Sequence, residues 1–443
     1  MASAETRPVG DDEAIALFAA LRDRRGLALA VSGGADSTAL LHLYARARAR
    51  DPALPPAVVL TVDHRLRPES AAECAAVAAR AEALGLPARI LVWAGPRPTS
   101  GLPTAARTAR RALLLQAARA AGCDTLALAH HADDQAETFL ARLARGSGVL
   151  GLAAMAKERR EGDVLLVRPL LDLPKTRLVA TLEAAGLAWV EDPSNRDPRF
   201  DRARLRAAAP ALAALGLDRD RLVATARAMA RAANALEPVV AARLATAVAT
   251  HPAGWAILEL SGHADQPEEI RLRLLARLIA AVAGTPYAPR LDALERLDAD
   301  LLAPAGPTPR VATLAGLRLE RRSDRLWLAP EIGRAPTIAL VPGATATWYG
   351  RSVAVAADAP AGLTLAPLGP HDRRRLADDR TVVTLAGTRP SAAVLASAPT
   401  LRAPDGALLC PALALAEAGG ERLASRVRIA DFALPEAPAG GSR

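Results

Sequence analysis

Cysteine is scarce: Cys74, Cys123 and Cys410 are the only three in 443 residues, and no two form a C-x-x-C pair. A disulfide framework, a zinc ribbon and an iron–sulfur site are therefore not expected. Lysine is scarcer still, since all but Lys157 and Lys175 of the 56 basic residues are arginines. Long apolar runs are missing too. Arginines and prolines interrupt the Ala/Leu stretches before they reach the ~20 residues a membrane span needs. The segment from Met1 to Asp12 carries acids early and lacks a basic-then-apolar leader pattern. These absences place the chain in the cytoplasm, away from membranes.

What is present is a soluble, globular composition: 51% hydrophobic and 23% charged residues, which excludes wholesale disorder and collagen-like repeats. At ~150 residues per domain the length predicts about three domains. The net charge of +9 favours a polyanionic partner such as nucleic acid.

The first two hundred residues alternate strand and helix patterns. Apolar runs at Leu27–Val31, Ala57–Val62, Ala88–Trp93, Thr125–Ala129, Val164–Leu170 and Ala188–Val190 read as strands. Between them, Thr38–Arg48, Glu69–Leu84, Thr104–Ala121, Ala132–Arg145 and Lys175–Ala185 read as helices, several stopped by glycine. This spacing implies an α/β fold, a doubly wound and mainly parallel sheet with helices on both faces, over residues 1–212. From 213 to 305 the pattern is helical, with Leu274, Leu275, Leu278, Ile279 and Val282 at helical spacing. Residues 306–443 change to short alternating segments separated by Gly and Pro, a small β-rich or α+β C-terminal domain.

Chemistry gathers just past the strand ends. Ser32-Gly33-Gly34-Ala35-Asp36-Ser37 joins the first strand to the first helix. Two glycines permit a sharp turn and close ligand approach, and the helix start offers amides and a positive dipole end to an anion. A carboxylate in such a nest, Asp36, makes sense as a magnesium ligand. The loop is neither Walker A nor Gly-x-Gly-x-x-Gly; the competing reading is a capped turn. Asp63-His64 follows the second strand and His130-His131 the fourth, and in an open parallel sheet such positions line the ligand crevice. His131-Ala132-Asp133-Asp134-Gln135-Ala136-Glu137 opens a helix whose first turns are acidic, which the helix dipole also explains. Arg107, Arg110 and Arg111 lie on the third helix, and Arg202, Arg204 and Arg206 close the domain; arginine clusters suit RNA phosphates or a nucleotide, while a solvated basic face is the plain alternative.

These residues resemble the PP-loop family of N-type ATP pyrophosphatases, adenine nucleotide alpha-hydrolase-like in fold, and within it the branch that forms lysidine on an isoleucine tRNA. The matching stretches are SGGADSTALLH, VDHRLRPES, AARTARRALL, AHHADDQAETFLARLARGSGVLGLAAM, RPLLDLPK and EDPSNRDPRFDRARLR, in order from Leu27 to Arg206. Two departures stand out. Arg110-Arg111 replaces the usual Arg-Tyr pair, and Arg202-Ala203-Arg204-Leu205-Arg206 replaces Arg-Asn-x-x-Arg. The resemblance implies ATP-dependent adenylation of the wobble cytidine of the CAU-anticodon isoleucine tRNA, then displacement of AMP by L-lysine, with Mg2+ as cofactor; it leaves a homodimer open. It assigns Ser32, Gly33, Gly34, Ala35, Asp36, Ser37, Asp63 and His64 to the nucleotide. Asp36 and Asp134 become magnesium ligands, and Asp36, His131, Asp134, Glu137 and Arg107 catalytic residues. Glu137 is the candidate base for the lysine amine. Arg110, Arg202, Arg204 and Arg206 would face RNA, gripped further by the helical region and the C-terminal domain.

Three rivals remain within reach of these residues. A tRNA cytidine thiolase is expected to use cysteines, and no C-x-x-C is present. A glutamine-dependent amidotransferase needs a glutaminase region, for which no sequence is seen. A nucleotide- or RNA-binding protein without turnover could dispense with Asp36, Asp134 and Glu137, and all three are there.

Overall fold

The computed structural model describes residues 6–65, 68–93, 102–191, 201–285, 288–306, 308–376, 383–417, 420–430 and 432. The chain divides into two compact units, 1–233 and 234–439.

The first unit opens with α1 (Asp11–Phe18), β1 (Leu27–Ala30) and α2 (Ala35–Arg50), followed by β2 (Ala57–Asp63), α3 (Ser70–Ala83), β3 (Ala88–Val92) and α4 (Leu102–Ala120). β4 (Thr125–Ala127), α5 (Ala132–Leu143), the one-turn α6 (Val149–Leu152), β5 (Glu158–Glu161), β6 (Val164–Val167), α7 (Lys175–Ala184), α8 (Asp201–Ala214) and α9 (Arg219–Ala247) complete it, α9 continuing past residue 233. The sheet order is β3-β2-β1-β4-β6-β5. All neighbours pair in parallel except the edge hairpin β5–β6.

Strand alternation explains the layers. Leu27, Leu29 and Val31 face one side, packing with Leu40, Tyr44 and Leu178; Ala28 and Ala30 face the other, with Leu114 and Ala118 of α4. A strand buried on both faces must be apolar at every position, which is why β1 reads as an unbroken apolar run. β1 lies between β2, reached by the first crossover, and β4, reached after the chain has returned from β3. That reversal makes the β1/β4 boundary the switch point, where two connections diverge and leave a crevice.

The second unit begins with β7 (Val248–His251) and β8 (Trp255–Glu259), then α10 (Glu268–Ala283) and α11 (Leu291–Leu302). β9 (Arg310–Leu314), β10 (Leu317–Arg322) and β11 (Arg325–Pro330) complete an antiparallel sheet of order β7-β8-β11-β10-β9. The apolar stripe Leu274, Leu275, Leu278, Ile279 and Val282 of α10 is buried against Leu258, Leu317, Leu319, Leu326 and Leu328 of this sheet. The remaining strands are β12 (Ile338–Ala339), β13 (Thr345–Trp348), β14 (Arg351–Val355), β15 (Thr364–Pro367), β16 (Pro399–Arg402), β17 (Leu408–Cys410), β18 (Leu415–Ala416) and β19 (Val427–Ile429). They form two further antiparallel sheets, β12-β15-β16-β17-β18 and β13-β14-β19.

Three expectations change. Ala188–Val190 forms no strand; instead the Val190 N–H donates to the Gly33 carbonyl at 2.9 Å, so the segment buttresses the glycine loop. The region read as helical contains β7 and β8. Their connection, His251-Pro252-Ala253-Gly254, has turn chemistry that outweighs the surrounding helical periodicity, and Gly254 takes the left-handed φ of +85°. The Glu158–Glu161 strand, not expected from the sequence, is polar and mostly exposed, so it carries no apolar signal. Among the described residues no helix is long and apolar enough to cross a membrane.

Position in the sheet sets the cost of truncation. Leu29 is 0% exposed and Ile90, on the β3 edge, is 45% exposed. Leu29→Ala is expected to destabilise the first unit by about 2–5 kcal/mol and Ile90→Ala by about 0.5 kcal/mol, read as shifts in the urea midpoint by circular dichroism.

Candidate active site

The loop from Ser32 to Gly34 leaves β1 and turns directly into α2. Gly33 adopts φ +87°, a left-handed conformation that costs any other residue backbone strain. A Cβ there would also press on Val77 Cγ2 at 3.3 Å. The turn is braced from within. The Ser32 N–H donates to Ser37 Oγ (3.1 Å), the Ser37 hydroxyl donates to the Gly34 carbonyl (3.1 Å), and the Thr38 hydroxyl donates to the Gly33 carbonyl (3.2 Å). Ser37 and Thr38 are buried. Their hydroxyls hold the loop's shape. No side chain caps the N-terminus of α2, so its first-turn amides and dipole face outward to an anion.

Asp36 stands in that first turn. His131, at the N-cap of α5 beyond β4, brings its Nε2 to 3.4 Å from Asp36 Oδ2 and 3.5 Å from Asp134 Oδ2. The other ring nitrogen, Nδ1, lies 3.5 Å from Asp133 Oδ2. Lys175, the first residue of α7, places Nζ 3.6 Å from Asp36 Oδ1, and its backbone N–H donates to Asp133 at 2.8 Å. Three loops from three strand ends thus meet.

Burial opposes the charge on His131, which is only 1% exposed. Asp133, Asp36 and Asp134 overcome it and raise its pKa to about 10, so the ring is an imidazolium at neutral pH. Burial likewise opposes ionisation of Asp133, but His131 and the Lys175 amide win and lower it to about 2. Asp36 follows the same pattern, held below its ordinary range by His131 and Lys175 against burial.

Glu137, one turn further along α5, is buried and gripped by Arg206 of α8, with Nε 2.5 Å from Oε1 and Nη2 3.3 Å from Oε2. Arg206 is also within electrostatic reach of Asp134 and Asp36. On the opposite face of α5, the Gln135 amide exchanges two 2.8 Å hydrogen bonds with the Met155 backbone. Arg142 donates to the Gly151 and Ala154 carbonyls. The glycine-rich turn after α5 is therefore fastened to the helix that carries His131.

The other expected site residues are placed differently. Asp63 ends β2 buried, accepting from the Ser70 hydroxyl (2.6 Å) and the Arg65 amide (2.9 Å), which hold its pKa below the ordinary value; its oxygens brace the entry to α3. His64 beside it is half-buried. Arg107 and Arg110 are exposed on α4, and Arg204 is exposed on α8. The side chain of Arg202, and residues 192–200 with the Asp-Pro-Ser-Asn motif, lie outside the described residues. Lys175 was not among the expected site residues, although it is one of two lysines and sits in the quoted RPLLDLPK stretch. Asp133 was visible as an acid of the helix start, but the helix dipole explained it equally well.

The chain is similar to known proteins over much of its length. A family model described as a PP-loop domain matches residues 11–212. The chain is 49% identical over 316 residues to the tRNA(Ile)-lysidine synthase of Methylobacterium sp. (strain 4-46), covering 70% of this chain and 91% of that protein. It is 45% identical over 340 residues to the tRNA(Ile)-lysidine synthase of Bradyrhizobium sp. (strain BTAi1 / ATCC BAA-1182), covering 73% and 95%. Among solved structures, a U34-tRNA thiolase from Methanococcus maripaludis aligns with a TM-score of 0.42 at 19% identity, covering 49% of this chain and 79% of that one.

The buried imidazolium gives stability a defined pH course. The folded pKa near 10 exceeds the ordinary 6.5, so the folded state holds this proton more tightly than the unfolded one. His131's contribution is complete below pH 6.5 and is lost as pH rises through 10. Asp133 acts in the opposite sense: its contribution is present above 3.8 and is lost as pH falls through about 2. Denaturant titrations from pH 6 to 10 are expected to show a falling midpoint, and His131→Asn to flatten that fall; an unchanged slope in the variant refutes the assignment.

Proposed function

The chain belongs to the tRNA(Ile)-lysidine synthase family, and from that membership we propose how its residues share the reaction. It ligates lysine onto the wobble cytidine of the isoleucine tRNA that bears a CAU anticodon, at the expense of ATP. The C2 oxygen of the cytidine attacks the α-phosphorus of ATP and pyrophosphate leaves. The side-chain amine of lysine then attacks C2, the C2–O bond breaks, AMP departs and the amine loses a proton. Adenylation is what makes the second step feasible, because an unactivated ring carbonyl oxygen is a poor leaving group. The product pairs with A in place of G, so the codon read changes from methionine to isoleucine.

One observation carries this reading: Asp36, His131 and Lys175 converge within 3.4–3.6 Å beside the uncapped start of α2. In the proposed mechanism, the amides of Gly34 to Ser37 hold the pyrophosphate end of ATP. His131 and Lys175 supply positive charge to the phosphates that is held in place before they bind, so little reorganisation is needed as pyrophosphate leaves. The three carboxylates of Asp36, Asp133 and Asp134 set against these two cations leave a net charge of −1, which repels a triphosphate.

That excess fits a divalent cation. Asp36 and Asp134 aim oxygens at the same His131 nitrogen, and Asp36 Oδ1 is buried without a hydrogen bond. Mg2+ keeps several waters and takes phosphate oxygens, so one or two carboxylates are enough to anchor it. Bound by Asp36 and Asp134, Mg2+ would neutralise charge building on the departing pyrophosphate. Arg206 keeps Glu137 oriented. Glu137 then accepts the proton of the attacking lysine amine on the oxygen that Arg206 holds less closely, Oε2.

The assay is incubation with ATP, magnesium, labelled lysine and transcribed isoleucine tRNA. Label entering only when the wobble base is C supports the reading; pyrophosphate release without lysine transfer refutes it. Asp36→Ala is expected to abolish pyrophosphate release while tRNA binding stays within about twofold; equal loss of both makes Asp36 structural. Glu137→Gln is expected to keep pyrophosphate release and slow lysine transfer about 100-fold or more, seen in single-turnover assays that follow both products.

A further inference from the structure

We propose that α4 and the β5–β6 hairpin form a seat for RNA phosphodiesters beside the nucleotide site, with Arg159 and Arg168 as its floor and Arg107 at its rim. The inference rests on the reading that the substrate is a tRNA and identifies a surface that holds its backbone.

The seat follows from strand alternation. Val164 and Leu166 pack with Leu114, Ala117 and Ala118 of α4, whereas Leu165 and Val167 pack in the core on the other face. The two-residue period carries Arg168, the next position past β6, to the α4 side. Across the hairpin, Arg159 stands opposite Leu166 and Glu161 opposite Val164, so both share that face. Arg111 confirms it, donating from Nε to Glu161 at 2.7 Å. Arg107 lies four residues before Arg111, on the same side of α4 and one turn nearer the carboxyl edge of the sheet.

Four guanidinium groups therefore share this face with one carboxylate, Glu161. Glu161 answers Arg111 and, at 3.6 Å, Arg159. Among the described residues, neither Arg107 nor Arg168 has a carboxylate partner. Arg168 Nη1 donates to the Ala156 carbonyl at 2.7 Å, but its Nε is buried without a hydrogen bond. Burial, together with Arg159, Arg111 and Arg107, brings the Arg168 pKa down to about 10. A like-charge cluster with an unpaired buried donor is costly unless an anion completes it. Planar guanidinium forks match phosphate oxygens in particular.

Two sources supply phosphate here, the triphosphate of ATP and the RNA backbone. Position favours RNA. β6 and β5 lie two and three strands from β1, which at ~4.8 Å per strand is about 10–14 Å from the glycine loop. The Arg159 side chain is 41% exposed, open to a chain lying along the sheet edge.

The test uses the full-length protein and compares wild type with Arg159→Ala, Arg168→Lys and the double variant Arg159→Ala/Arg168→Ala. Binding of isoleucine tRNA is followed by fluorescence anisotropy across a salt series, and ATP binding without RNA by calorimetry. The double variant is expected to bind tRNA about tenfold more weakly, with its log–log salt slope shallower by about 1.4, or roughly 0.7 for each phosphate no longer neutralised. Arg159→Ala alone should lose about half of that slope and keeps the test alive if changes at Arg168 prevent folding. Arg168→Lys should retain most of the affinity, and ATP affinity should hold throughout. Unchanged tRNA affinity and slope overturn the proposal, as does a loss of ATP affinity with tRNA binding intact, which would give the seat to the triphosphate. If wild type itself neither binds the tRNA nor transfers lysine, the functional reading fails instead of the seat.

Discussion

A protonated imidazole buried among three carboxylates is the feature on which the site depends. His131 is 1% exposed, an environment that ordinarily strips charge from histidine. Only simultaneous access to Asp36, Asp133 and Asp134 keeps the proton in place. These acids come from two structural sources. Asp36 belongs to the helix after β1, Asp133 and Asp134 to the first turn that His131 itself caps. Losing the register of either strand would leave a buried charge without compensation, so the chemistry and the packing of β1 against β4 are bound together.

That arrangement explains the concentration of bracing around the crevice. The hydroxyls of Ser37 and Thr38 are spent on the carbonyls of the glycine loop, and Asp63 is spent on the turn into α3. The Gln135 amide fastens the turn after α5 to that helix. These polar groups bond to the backbone and side chains around the crevice. They hold that backbone rigid, and rigidity is what lets a few charges act on a phosphoryl group without reorganising.

Arginine dominates the chain, yet its members are in very different positions. Some are matched one to one, as Arg206 with Glu137 and Arg177 with Glu13. Others are crowded together at the β5–β6 edge, where positive charge outnumbers its partners. Net charge alone fails to separate these cases, because it sums over both. The second unit shows the matched case in its core: Glu320 is 2% exposed and held by Arg318, Arg322 and Ser391, an internally satisfied network that asks for no ligand.

Much of this was legible in the residues. Unbroken apolar runs marked β1, β2 and β4 because a strand covered on both faces has no polar side, and the i, i+3, i+4 stripe marked α10 because one face of a helix must meet a sheet. Ser32 to Ser37 marked a tight turn into a helix start, since glycines and a helix N-terminus have local consequences whatever surrounds them. The hairpin of β7 and β8, the polar edge strand β5 and the meeting of Lys175 with Asp36 were not legible. Edge strands lack the two-sided burial that produces a pattern, and a turn as short as His251–Gly254 is easily absorbed into a longer helical reading. Residue composition and local periodicity determined which segments form and which groups they end in. Only the tertiary structure decided that Glu137 takes Arg206, 69 positions away, and that His131 stands charged, because partners far apart in the chain are fixed by strand order and no local pattern encodes that order.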